Sequence, residues 1–106
     1  MVNLFYVQYL ISSCENFSKT AEEYFNKAQE KLMNDEIDFG DLYLSRFYLN
    51  YCIEHTEKLL KISSENPGLF ENKESLETNL QNMKDNVKYV EEMIDYCRRK
   101  QLVETH

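Results

Sequence analysis

Leu76, Leu80, Met83, Val87, Val90, Ile94 and Cys97 follow one another at alternating steps of four and three without a break. An α-helix turns once every ~3.6 residues, so apolar side chains at that mixed spacing line one side of a rod and need a second surface to leave water. The positions between them are mostly Glu, Asp, Lys and Asn. The stripe is therefore a narrow, coiled-coil-like seam, and the surface that hides it has to be the edge of another helix.

The beginning of the chain repeats the pattern. Val7, Leu10, Cys14, Phe17, Ala21, Tyr24 and Ala28 step by three and four, and Leu4, Ile11, Ser18, Phe25 and Leu32 recur every seventh residue beside them. This doubled seam predicts a helix over about residues 2–33 that touches two neighbours. Ser12 and Ser13 are weak helix formers, and a break there would turn one helix into two. The run Asn34–Asp41 loses the period, carries Gly40 and offers Asp38 or Asp41 as a cap for a second helix over about 41–62. That helix is apolar on most sides: Tyr48, Cys52, His55, Leu59 and Ile62 form one stripe, and Leu42, Leu49, Ile53 and Leu60 another. Such a helix reads as the central element, covered by its two longer neighbours.

Pro67 and Gly68 end it, Leu69 and Phe70 are expected to fold the loop onto the bundle end, and the third helix takes residues 73–103. Short connections favour antiparallel neighbours. The expectation is a single all-α domain over residues 1–106, an antiparallel up-down-up three-helix bundle, with four helices if the first breaks near Ser12. Acid-before-base pairs four apart, such as Glu15 with Lys19 and Glu57 with Lys61, mark solvent faces. Arg98, Arg99 and Lys100 suit a helix C-terminus.

Composition narrows the function classes. Two glycines and one proline among 106 residues leave little of the punctuation that strands and hairpins require. Nineteen acidic residues against twelve basic give a formal charge of −7, which repels phosphate backbones and anionic lipid. Neither nucleic acid nor membrane is an expected partner. The apolar run Val2–Ile11 has no basic leader and is about half of the ~20 residues a membrane span needs, so it reads as neither signal nor anchor. Cys14, Cys52 and Cys97 contain no CxxC pair and read as reduced thiols in a cytoplasm.

Catalytic chemistry finds few candidates. His106 is terminal, and His55 falls on a packed stripe, where a core role is expected. Cys52 and His55 are three apart on one helical face, a spacing that lets both reach one metal ion. Counted from the first turn, however, Cys14 and Cys52 differ in level by roughly 12 Å, and Cys97 falls near the opposite end, so the thiols are not expected to converge. They read as small buried hydrophobes. The acidic turn fails as a calcium loop: with Gly40 in the sixth position, the third and fifth are Ile37 and Phe39 and the twelfth is Arg46. There is no Glu-x-x-His pair, phosphate-binding glycine loop, H-E-x-x-H or G-x-S-x-G. Arg46 and His55 stand further apart than the arginine and histidine of helical HEPN ribonucleases, and no family follows from them. No enzyme, cofactor or metal is expected. A ligand or metal carrier built on Cys52 and His55, or an enzyme subunit using Arg46 and His55, is the alternative.

What remains is aromatic surface. Phe5, Tyr6 and Tyr9 fall outside both rows of the first helix and make residues 2–11 apolar all round. Tyr89 and Tyr96, with Val103 a further seven along, lie off the third seam, and Phe39 and Tyr43 border the acidic turn. Tyrosine offers a broad rigid contact with a polar tip, common where proteins meet. These residues point to a protein–protein interaction module, an adaptor, inhibitor or self-associating subunit. Its partner would be another protein or a second copy of itself. An acidic inhibitor imitating nucleic-acid charge is the alternative within that class.

Overall fold

The computed structural model describes residues 2–104, in which there are three helices and no strand. They are α1 (Leu4–Met33), α2 (Phe39–Glu65) and α3 (Lys73–Glu104). Each begins on a side chain that accepts an otherwise unpaired first-turn amide: Asn3 Oδ1 from Tyr6 N at 3.2 Å, Asp38 Oδ1 from Asp41 N at 3.1 Å and Asn72 Oδ1 from Ser75 N at 3.1 Å. α1 runs through Ser12 and Ser13 without interruption, so the bundle has three helices and not four. Burial of Leu10, Ala21 and Ala28 outweighs the weak propensity of two serines. α2 starts two residues before the expected position, because Asp38 takes the cap, and continues to Glu65, just ahead of Pro67. Gly68 then adopts φ 89°, a left-handed conformation that glycine reaches without steric cost.

α2 packs along both neighbours, whereas α1 and α3 barely approach each other, and the molecule is a rod of 61 × 19 × 16 Å. One apolar cluster joins Ala21 and Ala28 of α1, Leu42 and Leu49 of α2, and Val90, Ile94 and Cys97 of α3. A second, at the other end, holds Val7, Leu10 and Leu59, with Leu69, Phe70 and Leu76 against it, so the 66–72 loop does fold onto the bundle. The third-helix seam is buried over its last half and half-buried over Leu76–Val87. α1 reaches its second neighbour through side chains, with the Phe25 ring 5.4 Å from that of Tyr89. No described helix is long and apolar enough to cross a membrane.

Two expectations are corrected. The central helix is not covered all round: Leu44, Phe47 and Tyr51 stay exposed on the side of α2 away from α3, which α1 covers only in part. Cys14 and Cys52, moreover, meet across the α1/α2 interface, each sulfur 3.3 Å from the other residue's carbonyl oxygen. Seven residues along, Ser45 Oγ donates to Ala21 O at 2.9 Å, so the antiparallel register holds. Counting levels from the turn failed because residues 34–38 run back alongside the last turn of α1. The amides of Asn34, Asp35 and Glu36 donate to the carbonyls of Lys31 and Leu32, with Asp35 at φ 61°. The Lys31 ammonium then pairs with both Asp38 and Asp41. Helix α2 therefore starts lower on α1 than an ordinary linker would place it.

Candidate functional site

The α1/α2 pair carries a continuous ladder of rings on the side away from α3. Tyr6 stacks near Tyr9 (6.4 Å between centroids), Tyr9 lies 6.1 Å from His55, and His55 meets the edge of Phe17 at 5.7 Å. Phe17 contacts Tyr48 (5.6 Å) and Tyr51 (5.4 Å), and Tyr48 stacks on Tyr24 at 6.0 Å. Phe47 closes the outer edge, 4.9 Å from Tyr51 and 5.4 Å from Tyr48. Every ring contact in the ladder is within α1, within α2 or between them. Position on the helix explains this: Phe47, Tyr51 and His55 recur at steps of four, opposite Leu42 and Leu49, which pack with Val90, Ile94 and Cys97 of α3. Among the described residues no further element covers this side, and Phe47 is 51% exposed, Tyr9 58% and Phe5 90%.

Within this ladder His55 is 6% exposed and walled by Tyr9, Phe17 and Tyr51, and neither Nδ1 nor Nε2 has a hydrogen-bond partner among the described residues. An unpaired buried polar group of this kind costs about 1–3 kcal/mol. Arg46, the other catalytic candidate, lies elsewhere, its guanidinium 5.3 Å from the Tyr43 ring centroid. The structure gives the two residues different partners and no shared site. His106 lies outside the described residues.

At the acidic turn, charge does structural work. Lys31 occupies the carboxylates of Asp38 and Asp41, holding Asp38 below the usual carboxylate range while its own ammonium is pushed up. Phe39 stacks near Tyr43 at 6.1 Å, the Tyr43 hydroxyl accepts from Arg98 at 3.0 Å, and Lys100 pairs with Asp35 at 3.2 Å. The basic run of α3 thus ties that helix to the α1/α2 hairpin. Tyr89 and Tyr96 are half-exposed on α3, remote in contact from the ladder.

The thiols divide into two environments. Cys14 lies between Cys52 and Thr56, whose Oγ1 is 3.2 Å from its sulfur, and these two partners stabilise its thiolate below the ordinary value of 9.0. Cys52, fully buried behind it, is pushed up by Cys14 and by burial, and Cys97 is pushed up by burial. Among the described residues no group of three His, Cys, Asp or Glu side chains is placed to hold a metal.

The gap between α1 and α3 forms two adjoining grooves, of about 350 and 560 Å³, that share Ser18, Glu22 and Asn86. Their walls mix polar and apolar side chains: Asn79, Asn82 and Asn86 of α3 and Glu15, Ser18 and Lys19 of α1 stand beside Ile11, Leu59 and Met83, and Cys14 lines the larger groove.

Of the expected partner-binding residues, Tyr6 and Tyr9 belong to the ladder and Phe5 flanks it; Phe39, Tyr43, Tyr89 and Tyr96 do not. Phe17 and Tyr24 of α1 and Phe47, Tyr48 and Tyr51 of α2 extend it; for the last three the signal was the apolarity of the second helix on most sides, while the first two carried ordinary seam spacing. No family model matches the chain, and no curated protein or solved structure matches it.

Proposed function

We propose that this chain is a protein-interaction module whose α1/α2 aromatic face receives an amphipathic helix of a partner protein. The observation that carries the reading is the exposed ring ladder. Monomers rarely leave contiguous apolar surface to water without a use for it, and rigid aromatic anchors dominate binding energy where helices dock in grooves. From Tyr6 to Tyr24 the face runs about 27 Å at the helical rise, the length of about five turns of an added helix. Such a helix would turn the open hairpin side into a four-helix arrangement. Three unbridged cysteines suit a reducing compartment, and a cytoplasmic location goes with this reading.

The test is affinity capture from source cells with the wild type, a Phe47→Ser/Tyr51→Ser double variant and a Tyr89→Ser/Tyr96→Ser control on α3. A partner held by wild type and control but lost by the double variant supports the reading; a partner retained by the double variant defeats it. Binding through rings should barely respond to added salt, whereas steep weakening would favour an acidic inhibitor acting through the −7 charge. Sedimentation of the wild type at high micromolar concentration separates the occupants: a monomer removes a second copy, and a dimer abolished by Phe47→Ser places one there.

A further inference from the structure

The Cys14–Cys52 crossing is independent of the aromatic face. We propose that these two cysteines are a peroxide-responsive thiol pair that closes into a disulfide joining α1 to α2. Their geometry is reciprocal: Cys14 Sγ lies 3.3 Å from Cys52 O, and Cys52 Sγ lies 3.3 Å from Cys14 O. Two sulfurs that each reach the other's backbone are attached to helices already in close apposition, as a cross-helix disulfide requires. The residues differ in access. Cys14 is half-buried and lines the 560 Å³ groove between α1 and α3, open to a small peroxide, whereas Cys52 is fully buried behind it.

Their chemistry differs in the matching sense. When the Cys14 proton leaves, Thr56 Oγ1 and the Cys52 thiol are in place to donate to the sulfur, which favours the nucleophilic thiolate. Partial burial opposes this, and Glu15, also on that groove, does so more weakly, but the Cys52 contact outweighs them.

The reaction has two steps. The Cys14 thiolate attacks one oxygen of hydrogen peroxide, the O–O bond breaks, and Cys14 becomes a sulfenic acid as hydroxide leaves and takes up a proton from solvent. The Cys52 sulfur then attacks the Cys14 sulfur; the S–S bond forms, the S–O bond breaks, and the departing hydroxyl leaves as water with the Cys52 proton. Two thiols lose two electrons in all, and one peroxide is reduced to two waters. Cys97, buried in the other cluster with its thiol pushed up, is the internal control.

The experiment treats the reduced full chain with a small excess of hydrogen peroxide, followed by intact mass and a non-reducing tryptic map. The expected result is a loss of about 2 Da, a Cys14–Cys52 linked peptide, Cys97 still free to alkylation after denaturation, and full reversal by dithiothreitol. The ring closed by the bond raises the melting temperature by on the order of 10 °C. In Cys52→Ser, Cys14 should instead accumulate as a dimedone-trapped sulfenic acid. Iodoacetamide at pH 7 should label Cys14 of the native chain at least tenfold faster than Cys97. A bridge through Cys97, a covalent dimer, or over-oxidation of Cys14 without the 2 Da loss in the wild type would overturn the assignment, whatever the variant does.

Discussion

The two faces of α2 are similarly apolar and meet opposite fates. Toward α3, Leu42 and Leu49 pack with Val90, Ile94 and Cys97 and lose nearly all contact with water. Away from it, Leu44, Phe47 and Tyr51 are equally hydrophobic and stay exposed. The side chains differ in kind as well: compact aliphatics fill the inner face, and the rings of Phe47 and Tyr51 dominate the outer one. Hydrophobicity alone therefore does not mark a core; it marks a surface that needs a neighbour, and among the described residues the outer face of α2 has only the ring edges of α1 beside it.

The sharpest way to break the comparison is to truncate one residue on each side. Ile94→Ala removes a side chain that is 1% exposed from the cluster against the inner face and should cost about 2–5 kcal/mol in urea unfolding. Phe47→Ser on the outer face should cost about 1 kcal/mol or less, since half of that ring is already in water. Equal losses would mean that the outer face is as much a core as the inner one. Between these extremes, Asp38→Ala removes the cap that sets where both faces of α2 begin and should cost about 1 kcal/mol.

The same cap predicts a pH response. Lys31 and the Asp41 amide hold the folded pKa of Asp38 below its unfolded value of about 3.8. Its contribution is therefore complete above that value and is lost as pH falls through the lower folded pKa. Comparing acid unfolding of wild type and Asp38→Ala should show the gap between them closing only in that acid window. His55→Leu sharpens the contrast within the outer face itself. Exchanging an unpartnered imidazole for an apolar side chain should raise stability by about 1 kcal/mol, and a loss instead would mean that the ring nitrogens are paired in solution.

Much of this was legible in residue spacing, because the period of ~3.6 is a local property that any helix obeys. The seam from Leu76 to Cys97, the row from Val7 to Ala28, a cap at Asp38 or Asp41 and the stop at Pro67 each state their role within one or two turns of chain; the structure chose Asp38. The aromatic face was legible only at its first turns, as Phe5, Tyr6 and Tyr9. Phe17, Tyr48 and His55 carry seam spacing and read as ordinary core until the neighbour on that side is found to be missing. The thiol pair was misread for a related reason: its register depends on how residues 34–38 fold back along α1, which helical periodicity does not encode.

The amino-acid order by itself thus determined the amphipathic helical segments, their ends to within a few residues and the edges that must be hidden, since these follow from periodicity and capping; that the first segment is one unbroken helix was left open at Ser12 and Ser13. Tertiary structure alone decided which apolar faces found cover, how far α2 slides along α1 to bring Cys14 to Cys52, and that α1 and α3 stand apart over a groove of mixed lining. Those outcomes depend on the path of a short turn and on the number of neighbours available, and neither is a property of any single helix.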